Sequence, residues 1–359
     1  MTQPNELAVY IGTYAPQMFS RAVYHTRFNL DMGMLSVPEL VAEVDQPSWL
    51  TAHPSLPILY AASSTDDFEG HAGGAVSAYA IDPSNGRLTL RGWESSGGMH
   101  PCHLVVAEPI QRLLVTNYGS GSLSALPIRD DGTLAPVSDH YQSQGSSIDP
   151  DRQQHAHLHS SLYNPRNGSL LVADLGSDTI WRYTTRSSGE ERLNPENPPA
   201  LLLPPGTGPR HMALHPKGRF MLVNGELDNR VHVFSMDPDS GDFEAIGASS
   251  TLPDSFSGVS YTAEIAFSDD GLFLYVSNRG HDSLAVFSFD DATGQLTLVA
   301  VTPIPGVFPR HFKVLDDYVI VANQGSDTLV VFRRDRATGK VAYHAEMSLP
   351  APTCVCVVG

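Results

Sequence analysis

Two short segments carry the same pair of chemically capable side chains, Pro209-Arg210-His211 and Pro309-Arg310-His311. A guanidinium grips oxyanions through a planar fork, and an imidazole exchanges protons near neutral pH. Side by side they suit acid–base chemistry on a substrate that carries or develops negative charge. Aligning the chain on these prolines stacks further residues into two columns. One column holds His103, His159, Arg210-His211, Glu264 and Arg310-His311; the other, at the ends of neighbouring runs, holds Asn117-Tyr118, Asp174-Leu175, Gly225-Glu226, Asn278-Arg279 and Asn323-Gln324. Asn117, Asp174, Asn278 and Asn323 read as turn residues that tie loops to strands. Arg210, His211, Glu226, Arg279, Arg310 and His159 read as functional, because a chain with 22 basic residues concentrates arginine and histidine at matching positions.

The run His155-Ala156-His157-Leu158-His159 places alternate imidazoles on one strand face, which raises the question of a metal. Arg210 and Arg310 share the same ring and would repel a cation, so the pattern favours an anion and no metal is expected. No nucleophile elbow, phosphate-binding loop or dinucleotide fingerprint is present, and no cofactor is expected. Cys354 and Cys356 alternate on one run and read as small core residues.

The columns exist only if repeated elements hold them in register. Gly208 to Phe234 contains one full copy of the repeat: an alternating run, a turn at Pro216-Lys217-Gly218, a second run, a break at Gly225 to Asn229, and a third run. Equivalent anchors fall at Pro47, Pro101, Leu158, Pro209, Thr262, Pro309 and Pro352, at intervals of about 50 residues. Seven anchors with about four short strands each predict an all-β, seven-bladed propeller spanning residues 1–359 as one domain. The last unit stops after one strand, and Leu7 to Tyr14 looks like a second strand without a first. The C-terminal strand is therefore expected to complete the N-terminal blade and close the ring. Residues 140–157 and 184–207 read as long surface loops.

Composition narrows the function. The 359-residue chain is 41% hydrophobic and 17% charged, which describes a globular protein with ample core. A net charge of −17 argues against nucleic acid and anionic membranes as partners. Three cysteines are too few for a disulfide framework. The N-terminal stretch lacks the basic and apolar regions of a secretory signal, and no run reaches membrane-spanning length, so a soluble cytoplasmic protein is expected.

In the motifs His157-Leu158-His159-Ser160, Gly208-Pro209-Arg210-His211, Asn224-Gly225-Glu226-Leu227, Ala263-Glu264-Ile265, Ser277-Asn278-Arg279-Gly280 and Pro309-Arg310-His311-Phe312, the chain resembles the seven-bladed propeller lactonases. That family includes bacterial 6-phosphogluconolactonases of the propeller type and fungal carboxymuconate cyclases. The resemblance covers nearly the whole chain and implies hydrolysis of a small anionic lactone in the mouth of the central channel. It implies His159 (or His157), Arg210, Glu226 and Arg279 as the catalytic cluster. His103, His157, His211, Glu264, Arg310 and His311 are the expected substrate contacts, with Arg310 and His311 holding a phosphate or carboxylate. The sequence departs from the family pattern at Gly225, where asparagine more often precedes the glutamate, and in the expanded His155 to His159 run. A muconate-lactonising cyclase and a non-catalytic binding propeller are the alternative readings.

Overall fold

Runs of Val, Ile, Leu and aromatic residues, separated by Gly, Asn and Asp turns, fold into seven antiparallel sheets. The computed structural model describes residues 5–14, 21–165, 167–185, 193–195, 201–237 and 240–358. The innermost strands of blades 2 to 7 are Pro47–Ala52, Pro101–Ala107, Leu158–Asn164, Pro209–Leu214, Tyr261–Phe267 and Pro309–Val314. They begin at the expected anchors or one residue away. Each contacts the next round the ring. Blade 5 shows the plan: Pro209–Leu214 pairs with Phe220–Gly225, which pairs with Arg230–Met236, which pairs with Phe243–Ser250. Its first turn needs Gly218, whose φ of 73° lies in the left-handed region.

Blade 1 closes the ring. Pro352–Val358 supplies its innermost strand and pairs antiparallel with Glu6–Thr13, from Ala8 opposite Val358 to Thr13 opposite Pro352. This strand also serves both neighbouring seams, because Val355 joins the cluster shared with blade 7 and Cys354 the one shared with blade 2. Every seam between blades has its own apolar cluster. Leu222, Val231 and Val233 of blade 5, for example, pack with Leu274, Val276 and Phe287 of blade 6.

The two expected loops are shorter than the sequence suggested. Asp139–Gln142 is the outer strand of blade 3. In blade 4 the outer position is split between Leu193–Pro195 and Leu201–Leu202, both paired with Thr179–Thr185; the rest of the 186–200 stretch lies outside the described residues. Low β-propensity in these segments hid strands that are set by pairing with a strong neighbour. Among the described residues no helix is long and apolar enough to cross a membrane.

One irregularity positions the site. In all seven blades the register between the first and second strands shifts immediately after the anchor, so that an extra residue bulges out. In blade 5, Pro209 lies opposite Gly225 and His211 opposite Asn224, which leaves Arg210 unpaired. Such a bulge breaks the strict alternation of side chains and re-aims them. Arg210 and His211, adjacent in sequence, consequently meet inside the channel, with Arg210 Nη1 3.2 Å from His211 Nε2.

Candidate active site

Glu226 is the centre of the channel mouth. It follows the last residue of the second strand of blade 5, where the column residue is Gly225. A side chain at Gly225 would meet Asp228 Oδ1 at 2.1 Å and Thr207 O at 2.8 Å, which accounts for glycine in place of the asparagine found in other blades. Three guanidinium groups converge on the carboxylate. Arg210 Nε and Arg279 Nη2 each lie 3.0 Å from Oε2, and Arg152 Nη2 lies 2.6 Å from Oε1. His159 Nε2 approaches Oε2 at 3.9 Å. The Arg210 contact is charge to charge: neither its Nε nor Glu226 Oε2 completes a hydrogen bond, and Arg279 Nε and His159 Nδ1 are also buried without a hydrogen-bond partner. Aromatic rings wall the cluster, with the Arg279 guanidinium 5.2 Å from the Phe308 ring and Arg310 5.4 Å from the Tyr14 ring.

These surroundings set the protonation states. Burial pushes Glu226 upward, but Arg279, Arg210 and Arg152 outweigh it and hold the carboxyl at about 2, so it is ionised. The pairing does not raise Arg210 in return. Burial, then Arg279, lower it to about 9, because one carboxylate is shared among several cations. Burial, reinforced by Arg210, holds the His159 imidazole well below its usual value and therefore neutral at pH 7.

A second layer lies further along the inner strands, around a cavity of about 350 Å³ lined by Trp49, His103, His211, Glu264 and His311 among others. Arg210 Nη1 can only donate, so His211 Nε2 accepts and its proton sits on Nδ1, 3.0 Å from Glu264 Oε2. His311 Nδ1 accepts the backbone N–H of Val355 at 3.2 Å, which leaves an Nε2–H facing the same Glu264 oxygen at 3.3 Å. His103 Nδ1 likewise accepts from Ser161 N at 3.3 Å, and its ring lies tilted against Trp49, with centroids 4.3 Å apart. A metal-binding imidazole normally donates its second N–H to an acceptor. His103 and His311 are held the opposite way round by backbone amides, so they present N–H groups, not lone pairs, to the channel. Among the described residues no group of His, Cys, Asp or Glu is arranged to hold a metal ion.

The structure thus brings His159, Arg210, Glu226 and Arg279 together and divides the remaining expected residues. Arg310 stands with the upper cluster, without a carboxylate partner among the described residues, and donates to Gln324 Oε1 at 3.4 Å. His103, His211, Glu264 and His311 form the second layer, so Arg310 and His311 do not make one clamp. His157 belongs to the wall: its ring stacks on Tyr118 at 4.4 Å and its Nδ1 lies 3.0 Å from Tyr118 O. The strand-end column ties loops, as when Asp174 Oδ1 accepts His157 N at 2.8 Å and Asn278 Oδ1 accepts Thr251 Oγ1 at 2.7 Å. Cys354 and Cys356 carry thiols raised by burial, Cys356 to about 11, which suits core residues. Sequence reasoning missed Arg152 and gave Tyr118, a member of the strand-end column, no role; their Nη2 and OH atoms are 3.3 Å apart. Arg152 lies outside the repeat, in a segment read as surface loop, and its only signal was an arginine beside the histidine run.

The family described as "Lactonase, 7-bladed beta-propeller" matches residues 8–358. The 6-phosphogluconolactonase of Bacillus subtilis (strain 168) is 33% identical over 304 residues, covering 84% of this chain and 83% of the relative. A protein of the same name from Formosa agariphila is 30% identical, over 85% of this chain and 86% of its own. The structure of a periplasmic gluconolactonase from Pseudomonas aeruginosa superposes with a TM-score of 0.92 at 32% identity, covering 99% of both chains. With the repeat, the ring closure and the channel cluster in agreement, the chain belongs to the seven-bladed β-propeller lactonase family.

Proposed function

We propose that the protein hydrolyses a sugar lactone, with 6-phosphoglucono-1,5-lactone the leading substrate. The observation that carries this reading is the set of buried atoms around Glu226 that complete no hydrogen bond: Arg279 Nε and His159 Nδ1, with Arg210 Nε in charge contact alone. A lactone is already a reactive ester. Its hydrolysis requires a positioned water, a group to take the water's proton, and donors fixed where the carbonyl oxygen becomes negative. Arg210 and Arg279 offer such donors, held in place by Glu226. Two groups of the cluster could take that proton, Glu226 and His159; His159 is the better base, since it is neutral with a free ring nitrogen, whereas Glu226 at about 2 binds protons too weakly. Proton transfer then runs from water to His159 Nδ1 as the water oxygen attacks the lactone carbonyl; His159 returns that proton to the ring oxygen as its bond to the carbonyl carbon breaks, so that the ring oxygen leaves as the hydroxyl of the open acid. Unpaired positive charge on Arg310 attracts an anionic lactone.

The hydrolysis proceeds without a metal in this reading, which the imidazole tautomers of the second layer support. The names of the matched relatives support a sugar lactone as substrate. A reducing, cytoplasmic setting is supported by three free cysteines. The test is turnover of a lactone panel by the purified protein, with and without a chelator. Hydrolysis of a sugar lactone that survives chelator and falls roughly 10²- to 10³-fold in Arg210→Ala is expected. A correctly folded protein that opens no lactone, or that cyclises a carboxymuconate instead, overturns the reading.

A further inference from the structure

Arg152 differs from the other cations of the channel mouth. It comes from residues 143–157, between blades 3 and 4, whereas the others occupy repeat positions. Its backbone is pinned: Asp149 Oδ1 accepts the N–H groups of Asp151 and Arg152, each at 2.9 Å, and the Gln153 side chain donates to Leu175 O at 2.8 Å and Asp178 Oδ1 at 2.9 Å. The side chain itself is 31% exposed, against 3% for both Glu226 and Arg210 and 7% for Arg279. Of the three arginines paired with Glu226, Arg152 is therefore the one that an incoming solute meets first.

Its bond to Glu226 is also separable from the others. Arg210 and Arg279 are held on Oε2, and Arg152 on Oε1. Withdrawing Arg152 leaves the carboxylate with two ion pairs and leaves both oxyanion donors in place. Three guanidinium groups share this single carboxylate, and a fourth, Arg310, feels both Arg279 and Glu226 through space and has no acidic partner of its own among the described residues. A second anion is the group that such a surplus of positive charge accommodates. The Tyr261 ring, 5.6 Å below the Arg152 guanidinium, and the Tyr118 hydroxyl at 3.3 Å support the side chain in either pairing.

We propose that Arg152 is a specificity-determining residue that exchanges Glu226 Oε1 for the phosphate of an incoming sugar lactone, so that the site selects phosphorylated over neutral lactones. This rests on the lactonase reading of the same site. The exchange moves no covalent bond; it replaces one charge-assisted pair by another. Arginine suits it, since its fork matches phosphate as well as carboxylate.

The experiment compares kcat/KM for 6-phosphoglucono-1,5-lactone and glucono-1,5-lactone in the wild type, Arg152→Gln and Arg152→Lys, with urea unfolding to establish that each variant is folded. In Arg152→Gln the ratio of the two values falls roughly 10- to 100-fold, the worth of one charge-assisted hydrogen bond. Arg152→Lys, with the charge but not the fork, recovers part of the ratio. A ratio unchanged by Arg152→Gln, with both substrates losing equally, overturns the proposal and makes Arg152 a support for Glu226 alone. A second arm needs no turnover: inorganic phosphate raises the unfolding temperature of the wild type and has less effect on Arg152→Gln. If no lactone is opened but phosphate binding still depends on Arg152, the lactonase reading fails and the anion site stands. Equal phosphate stabilisation of wild type and variant, or none of either, overturns the anion site.

Discussion

Replacing Glu226 by Gln removes one negative charge and almost no volume at the point where Arg152, Arg210 and Arg279 converge. Burial opposes ionisation of the carboxyl group, yet Arg279, Arg210 and Arg152 hold it at about 2, against 4.5 for the free side chain. A gap of that size corresponds to about 3 kcal/mol of folding stability at neutral pH. The folded value is depressed, so this contribution is complete above about pH 5 and is lost as the pH falls towards 2. Removing one partner of a buried ion pair costs about 3–5 kcal/mol, an independent figure of similar size. The assay is urea unfolding of wild type and Glu226→Gln at a series of pH values. The wild type should be the more stable by about 3–5 kcal/mol at pH 7, and the difference should shrink as the pH falls from about 5 to about 2. A difference that stays constant over that range would show that the Glu226 charge does not hold the arginines, and the site geometry derived from it would fall.

Three further outcomes follow from the same structure. Because burial and Arg210 hold His159 neutral well below its usual value, kcat/KM for a neutral lactone should be level from about pH 8 to about pH 6 and decline only in more acid solution; a midpoint at 6.5 or above would contradict its role as base. His211→Leu strips acceptor and donor from the Arg210–His211–Glu264 chain, leaving buried groups unpaired, and should destabilise the protein by roughly 1–3 kcal/mol while lowering kcat; unaltered kcat would show that His211 does not position Arg210. Deleting the chain from Pro352 onward removes the inner strand of blade 1 and opens two seams, so soluble monomer with cooperative unfolding should be lost, as size-exclusion chromatography and urea titration would show.

The fold was legible because the repeat forces agreement at seven places. A weak strand signal at Pro309 or Pro352 is strengthened by its match to Pro209, and the incomplete units at the two ends explain each other. The grouping of His159, Arg210, Glu226 and Arg279 followed from the same columns and the family motifs. The division into two layers did not follow, since strict alternation gives no reason for Arg310 to join the upper cluster while His311 turns to Glu264. That outcome depends on the bulge after each anchor, a feature of backbone pairing with no residue signature of its own. Arg152 was invisible for the opposite reason: it comes from outside the repeat, and only the folded ring brings residue 152 to residue 226.

Confining the charges to the channel mouth has an energetic logic. Sharing one buried carboxylate among three guanidinium groups is not a route to stability, since well-packed apolar side chains in the same volume would serve at least as well. The stability comes from elsewhere, from an apolar cluster at every seam and a ring with no open inner edge. Neither depends on the identity of the residues that follow the anchors. The same bulge carries Ser48 and Cys102 in blades 2 and 3, where Ser48 Oγ donates to Pro101 O at 2.8 Å and Cys102 Sγ to His159 O at 3.2 Å, joining one blade to the next. In blades 4, 5 and 7 it carries His159, Arg210 and Arg310. A single backbone device therefore places small tying groups on one side of the channel and charged groups on the other, which is why the ionisable cluster concentrates in blades 4 to 7 while the fold remains uniform around the axis.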